Sequence, residues 1–139
     1  MSPIKRVSIV FSAVLMFPAL LPLRTAFAEG KDWILPEERG QSHQFNVGQG
    51  QKDFHYIRCL VGGTLWINVW NDGGDWDAPN VIALRVNYGQ RHEVPVGPKQ
   101  KGTIELVIRQ RDVISLEVDN ARNLTGTNYH IILGYAPLR

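Results

Sequence analysis

Along most of this chain apolar and polar residues alternate with a period of two, and no stretch sustains the 3.6-residue period of a helix. In the run 64–70, Leu65, Ile67 and Val69 point one way, while Thr64, Trp66, Asn68 and Trp70 point the other. Comparable runs recur at 43–47, 54–60, 80–86, 91–96, 102–109, 113–118 and 128–134. Turn chemistry separates them: Gly48-Gln49-Gly50, Gly62-Gly63, the acidic loop 71–79, Tyr88-Gly89-Gln90, Gly97-Pro98, Gln110-Arg111-Asp112 and 123–127. None of these connections is long enough for a crossover helix, so the strands are expected to pair antiparallel. The pattern predicts an all-β domain, an antiparallel β-sandwich or jelly roll of about eight strands.

Two local expectations follow from the same pattern. Residues 29–40 read as a lead-in segment in which Trp33 tacks onto the core and Pro36 ends any regular run. Ile104, Leu106 and Ile108 share a core face with Ile114, Leu116 and Val118 if 108 pairs with 114, 106 with 116 and 104 with 118. That hairpin closes through Gln110-Arg111-Asp112, with Asp112 in the left-handed position, and sets Glu105 opposite Glu117.

The first 28 residues break the alternation. Lys5 and Arg6 precede an apolar stretch from Val7 to Leu23, and Ala26-Phe27-Ala28 supplies a small-x-small cleavage pattern, as in a secretory signal peptide cut after Ala28. A membrane anchor is the competing reading; Pro18, Pro22 and Arg24 weigh against it, so no stable insertion is expected after cleavage. The chain so released, 29–139, is a single domain bound for the periplasm or the exterior.

Charge changes the picture once the leader is set aside. Of 15 basic residues the leader holds Lys5, Arg6 and Arg24, which leaves 12 against 13 acidic ones. The basic pI of about 8.9 therefore belongs to the whole chain, and no basic cluster in 29–139 points to nucleic acid. Cys59, the only cysteine, shares a strand face with Ile57 and Val61 and reads as a core thiol. The four histidines, His43, His55, His92 and His130, fall one to a strand without metal-ligand spacing and are expected to face solvent.

Candidate chemistry gathers at one end. Consecutive antiparallel strands place alternate loops together, so 48–53, 71–79, 97–101 and 119–127 are expected to share a rim. Asp72, Asp75, Asp77, Asp119 and Asn120 would supply the hard oxygen ligands that calcium, the candidate cofactor, requires. Trp76, Asn123 and Asn128 would contact a ligand beside it, although such loop residues also occur for conformational reasons alone.

The segment 118–133 resembles, over part of its length, the calcium loop of small soluble galactose-binding bacterial lectins. Those carry Asn-Asp, a Thr and two adjacent asparagines. Here the order is Asp119-Asn120 and Asn128 stands alone, so half of the ligands differ and no family is assigned.

A second candidate is the face of Trp66, Asn68 and Trp70, whose indoles lie about 13 Å apart along an extended strand. They form a stacking platform for sugar rings or a partner protein, unless another layer covers them. Glu105 and Glu117 are spaced for glycoside hydrolysis, yet an outer sheet face beside Arg109 and Arg111 would not raise a carboxyl's pKa, and no enzyme is expected. The residues point to an exported binding module, carbohydrate-binding or lectin-like and calcium-assisted, with a glycan as partner. The alternative is a periplasmic module that binds an envelope protein, as an inhibitor, immunity protein or assembly subunit.

Overall fold

The chain is described by a computed structural model at residues 30–73 and 80–138, so the expected leader and Asp75, Trp76 and Asp77 lie outside the described residues. Nine strands form among the described residues: β1 (Asp32–Leu35), β2 (Ser42–Val47), β3 (Lys52–Cys59), β4 (Gly63–Asn71), β5 (Ile82–Tyr88), β6 (Gln90–Val96), β7 (Lys101–Ile108), β8 (Val113–Asp119) and β9 (Thr127–Pro137). They make two sheets, ordered β1-β3-β8-β5-β6 and β2-β9-β4-β7. The expected all-β sandwich is what the chain forms. No helix among the described residues is long and apolar enough to cross a membrane.

Alternation builds the core directly. Asp53, His55, Ile57 and Cys59 of β3, Leu65, Ile67 and Val69 of β4, and Ile114, Leu116 and Val118 of β8 are buried while their neighbours face outward. The inner rows of both sheets meet in one apolar layer that includes Leu84, Leu106, Ile131 and Leu133. Cys59 belongs to that layer, as expected, and burial there, followed by the nearby Asp112, pushes its thiol up to about 11.

Three expectations fail, each for a topological reason. Residues 32–35 are not a lead-in but a strand, β1, lying parallel to β3 with Trp33 opposite Ile57 and Leu35 opposite Cys59. A parallel pair needs no helix here, because the chain between β1 and β3 crosses to the opposite sheet as β2 and returns.

β7 and β8 do not form a hairpin. β7 pairs with β4, setting Leu106 beside Leu65, while β8 lies between β3 and β5. Their apolar rows both reach the core, but from opposite sheets, a solution that periodicity cannot distinguish from a hairpin. Glu105 therefore lies opposite Trp66 and Glu117 opposite Phe54 and Arg85, on different outer faces, and they form no carboxylate pair. In the connecting loop Arg111, at φ 77°, takes the left-handed position expected of Asp112. Asp112 instead accepts the Arg109 N–H (2.8 Å) and the Tyr88 hydroxyl, and its carboxyl is held below the usual carboxylate range by those bonds, Tyr88 foremost.

His55 is the third. It faces inward and is wholly buried, joining the sheets through a chain of donors. The Lys31 N–H donates to Nδ1 (3.1 Å), which leaves the ring proton on Nε2 to donate to the Tyr129 hydroxyl (2.7 Å). Tyr129, from β9 in the other sheet, donates in turn to buried Asp53 (2.6 Å). Phe45 packs against both rings, 4.5 Å from His55 and 5.4 Å from Tyr129 between centroids.

Burial, with Lys31 adding to it, lowers the His55 pKa from 6.5 to about 4, so the folded state disfavours a proton that the unfolded chain accepts. Stability should be full above pH 6.5, fall as pH drops towards about 4 and then lose nothing more from this group. The expected loss is about 3 kcal/mol in total. Urea denaturation at closely spaced pH values checks it: in His55→Gln the slope over that window should flatten relative to wild type.

Candidate functional site

The four loops expected to share one end do so. The Asn120 N–H donates to Gln51 O (2.8 Å), the Lys99 N–H to Asn71 O (2.7 Å) and the Asp72 N–H to Asn128 O (2.9 Å). What holds them is an amide network. Asn71, at the end of β4, donates through Nδ2 to the carbonyls of Asn80 (2.8 Å) and Val96 (3.1 Å), and its Oδ1 accepts from Thr127 Oγ1 (2.9 Å). Asn80 Nδ2 reaches Thr125 O (2.8 Å), and Asn120 Nδ2 reaches Gly48 O and Thr125 O (2.8 and 2.9 Å). Asparagine suits this work because its amide offers two donors to carbonyls that strand pairing leaves free at the pole.

This network absorbs much of the expected rim. Asn120 is fully buried, and its side-chain oxygen accepts from Asn123 Nδ2 (2.5 Å), which also donates to Val81 O (3.0 Å). Asn128 is exposed and accepts from Asn46 Nδ2 (2.9 Å). Asp72 and Asp119 do not come together. Asp72 pairs with His130 Nδ1 (2.5 Å) on the outer face of the four-stranded sheet. Asp119 lies on the outer face of the five-stranded sheet, where one oxygen meets Arg85 and the other accepts the Ala121 N–H (2.7 Å). Burial works to raise its pKa, but the Arg85 guanidinium and the Ala121 N–H, with Lys52 nearby, together outweigh it and hold the carboxyl below the usual range. Among the described residues no group of three or more His, Cys, Asp or Glu could hold a metal ion.

Trp66, Asn68 and Trp70 remain together on a partly exposed face, with no further layer over them among the described residues. The pairing of β4 with β9 and β7 gives this face ordered rows: His130, Trp70 and Lys101; Ile132, Asn68 and Thr103; Gly134, Trp66 and Glu105. The two tryptophans have unlike surroundings. His130 stacks on Trp70 with centroids 4.7 Å apart and planes 5° apart, and Lys101 Nζ lies 5.4 Å from the same ring. Because β4 lies between β9 and β7, these neighbours approach Trp70 from opposite sides.

Trp66 lies beside Gly134 instead. A Cβ at 134 would stand 3.4 Å from Trp66 Cβ and Cε3, an ordinary van der Waals contact, so the indole lies directly alongside the Gly134 backbone. Trp66 is partly exposed, and no ring or cation stacks on it among the described residues. Around it, Asn68 donates to Ile132 O (3.1 Å) and accepts from Thr103 Oγ1 (2.8 Å), and Glu105 is exposed. The sequence reading missed Gly134, His130, Lys101 and Thr103 as parts of this face. A glycine inside an otherwise regular strand was the one usable signal, since it marks a close approach.

No protein-family model matches the chain, and no curated protein matches it. Among solved structures it is similar to the pre-peptidase C-terminal domain of a collagenase from Bacillus anthracis, with a TM-score of 0.51, 11% identity, and 76% of this chain and 95% of that one covered. It is also similar to a periplasmic inhibitor of g-type lysozyme from Aeromonas hydrophila, with a TM-score of 0.50, 8% identity, and coverage of 79% and 100%. A surface-associated copper-binding protein of Methylomicrobium album BG8 gives a TM-score of 0.50 at 6% identity, with 78% and 98% covered. At such identities these likenesses establish a shared β-sandwich fold and nothing finer.

The pole predicts an asymmetry between its asparagines. Asn71→Ala would take the side-chain donor from two carbonyls, those of Asn80 and Val96, and should cost about 3 kcal/mol. Asn123→Ala, at a partly exposed position, should cost about 1 kcal/mol. Chemical denaturation of both variants at neutral pH measures the difference.

Proposed function

We propose that the chain is an exported binding module that takes carbohydrate on the outer face of the sheet β2-β9-β4-β7. The observation that carries this reading is the partly exposed Trp66 lying alongside Gly134, beside Asn68, Thr103 and the exposed Glu105. A sugar ring has an apolar face of C–H groups that stacks on an indole and a polar edge of hydroxyls. Here the hydroxyls would meet the Glu105 carboxylate and the Thr103 hydroxyl. Export is supported by the leader-like pattern of residues 1–28.

A protein partner is the second reading. Val107, 65% exposed, stands on β7 two residues beyond Glu105 and adds apolar area that a sugar does not need. The lysozyme inhibitor with the same fold acts on a protein.

Electrophoresis through native gels containing soluble polysaccharides tests the first reading. The wild-type domain should be retarded, and Trp66→Ala should weaken binding about tenfold or more. Trp70→Ala should change it far less, since the His130 ring already stacks on that indole with the Lys101 ammonium nearby. Equal retardation of wild type and Trp66→Ala would place the sugar elsewhere. No retardation by any polysaccharide, together with an envelope protein captured by wild type and lost in Trp66→Ala, would establish the second reading.

A further inference from the structure

The outer face of the five-stranded sheet, away from the tryptophan face, holds a recess of about 430 Å³. Four cations, Lys52, Arg85, Arg91 and Arg122, and two carboxylates, Glu117 and Asp119, line it. They are not equally engaged. Arg85 projects from β5 between β6 and β8, where its Nε reaches Glu93 (3.1 Å), its Nη1 reaches Glu117 (2.7 Å), and the same Nη1 meets Asp119. The second Asp119 oxygen is taken by the Ala121 N–H (2.7 Å). One guanidinium, itself only 19% exposed, thus holds both acids of the floor, and its single positive charge offsets one of their two negative charges.

The cations at the rim are not neutralised in the same way. Arg122 is exposed, with no carboxylate in ion-pair reach among the described residues. Arg91 meets Glu93 through a single contact of 3.3 Å, with side chains 57% and 43% exposed, and Lys52 stands 3.7 Å from Glu117. Contacts of that kind are weak and are exchanged readily for a better partner. Register sets the length of the recess: Ala83 pairs with Asp119 and Asn87 with Arg91, four residues apart on β5, or about 13 Å. Arginine therefore stands near each end of a concave strip whose four cations outnumber the three carboxylates beside them, Glu93, Glu117 and Asp119.

We propose that this recess is an anion-binding site, which takes a ligand bearing carboxylate or phosphate groups through Arg91, Arg122 and Lys52. A guanidinium donates two parallel N–H bonds to a carboxylate or phosphate, and the spacing of the two arginines favours a ligand with anionic groups at both ends. Such groups belong equally to a free small anion and to an acidic polysaccharide. The site shares no residue with the tryptophan face, so it stands or falls independently of the sugar reading.

Titration of the ¹⁵N-labelled domain with sodium phosphate, citrate and a uronic acid oligomer, at constant ionic strength, tests it by NMR. Saturable shifts are expected at the Ala121 amide and at the Nε–H groups of Arg91 and Arg122. The double variant Arg91→Ala/Arg122→Ala should bind at least about tenfold more weakly, and added sodium chloride should weaken wild-type binding. Trp66→Ala should bind as wild type does. Binding of the oligomer alone would identify a polysaccharide as the source, and binding of phosphate and citrate as well would identify any small anion. Absence of saturable shifts with all three probes would overturn the proposal, as would undiminished affinity in the double variant or loss of binding in Trp66→Ala.

Discussion

The structure depends on one constraint: the nine short strands of the described residues can hide their apolar rows only by turning them towards a single shared layer. Each strand has one inward row, and the sheet it joins decides which way its outward row points. The outward residues are thereby divided between two surfaces with the core between them. Trp66, Trp70 and Glu105 fall on one, and Arg85, Glu117 and Asp119 on the other. No residue can be moved from one surface to the other without exchanging the strand that carries it.

Polar groups inside such a layer lose water and depend on the protein for partners, with Trp33 Nε1 left without one among the described residues. The chain supplies partners twice, by different means. In the interior a single line of donors, from Lys31 through His55 and Tyr129 to Asp53, crosses from one sheet to the other. Its direction settles the tautomer of the imidazole and makes a neutral ring a condition of the fold. At the pole the same need is met by amides, where Asn71, Asn80 and Asn120 bind carbonyls from loops that strand pairing leaves unsatisfied. Residues that look in isolation like metal ligands or sugar contacts are here occupied with closing the end of the sandwich.

Trp66 and Trp70 illustrate how the surroundings of a side chain depend on its lateral neighbours. They lie on one strand with the same parity and similar burial. Yet one stacks on an imidazole with an ammonium nearby, and the other lies beside a glycine. The difference is set by His130 and Lys101 in one row and by Gly134 and Glu105 in another, all of them remote in sequence. A binding surface on a sheet belongs to its cross-strand rows more than to any strand within it.

Alternation and turn residues were enough to determine the all-β class, most strand positions, the inward rows, the buried thiol and the gathering of four loops at one pole. These properties are local, because the period of two and the chemistry of Gly, Asn and Pro act over a few residues. Partnership between strands was not legible. The rows of Ile104 to Ile108 and Ile114 to Val118 fit a hairpin and a pair of facing sheets equally well, and only packing in three dimensions selected the second. The same holds for β1, which becomes a strand because β3 offers it an edge. It holds also for His55, which is buried because Tyr129 and the Lys31 amide, 74 and 24 positions away, complete its hydrogen bonds. Contacts of that range carry no periodic trace in the sequence, since what decides them is which surfaces meet once the chain has collapsed.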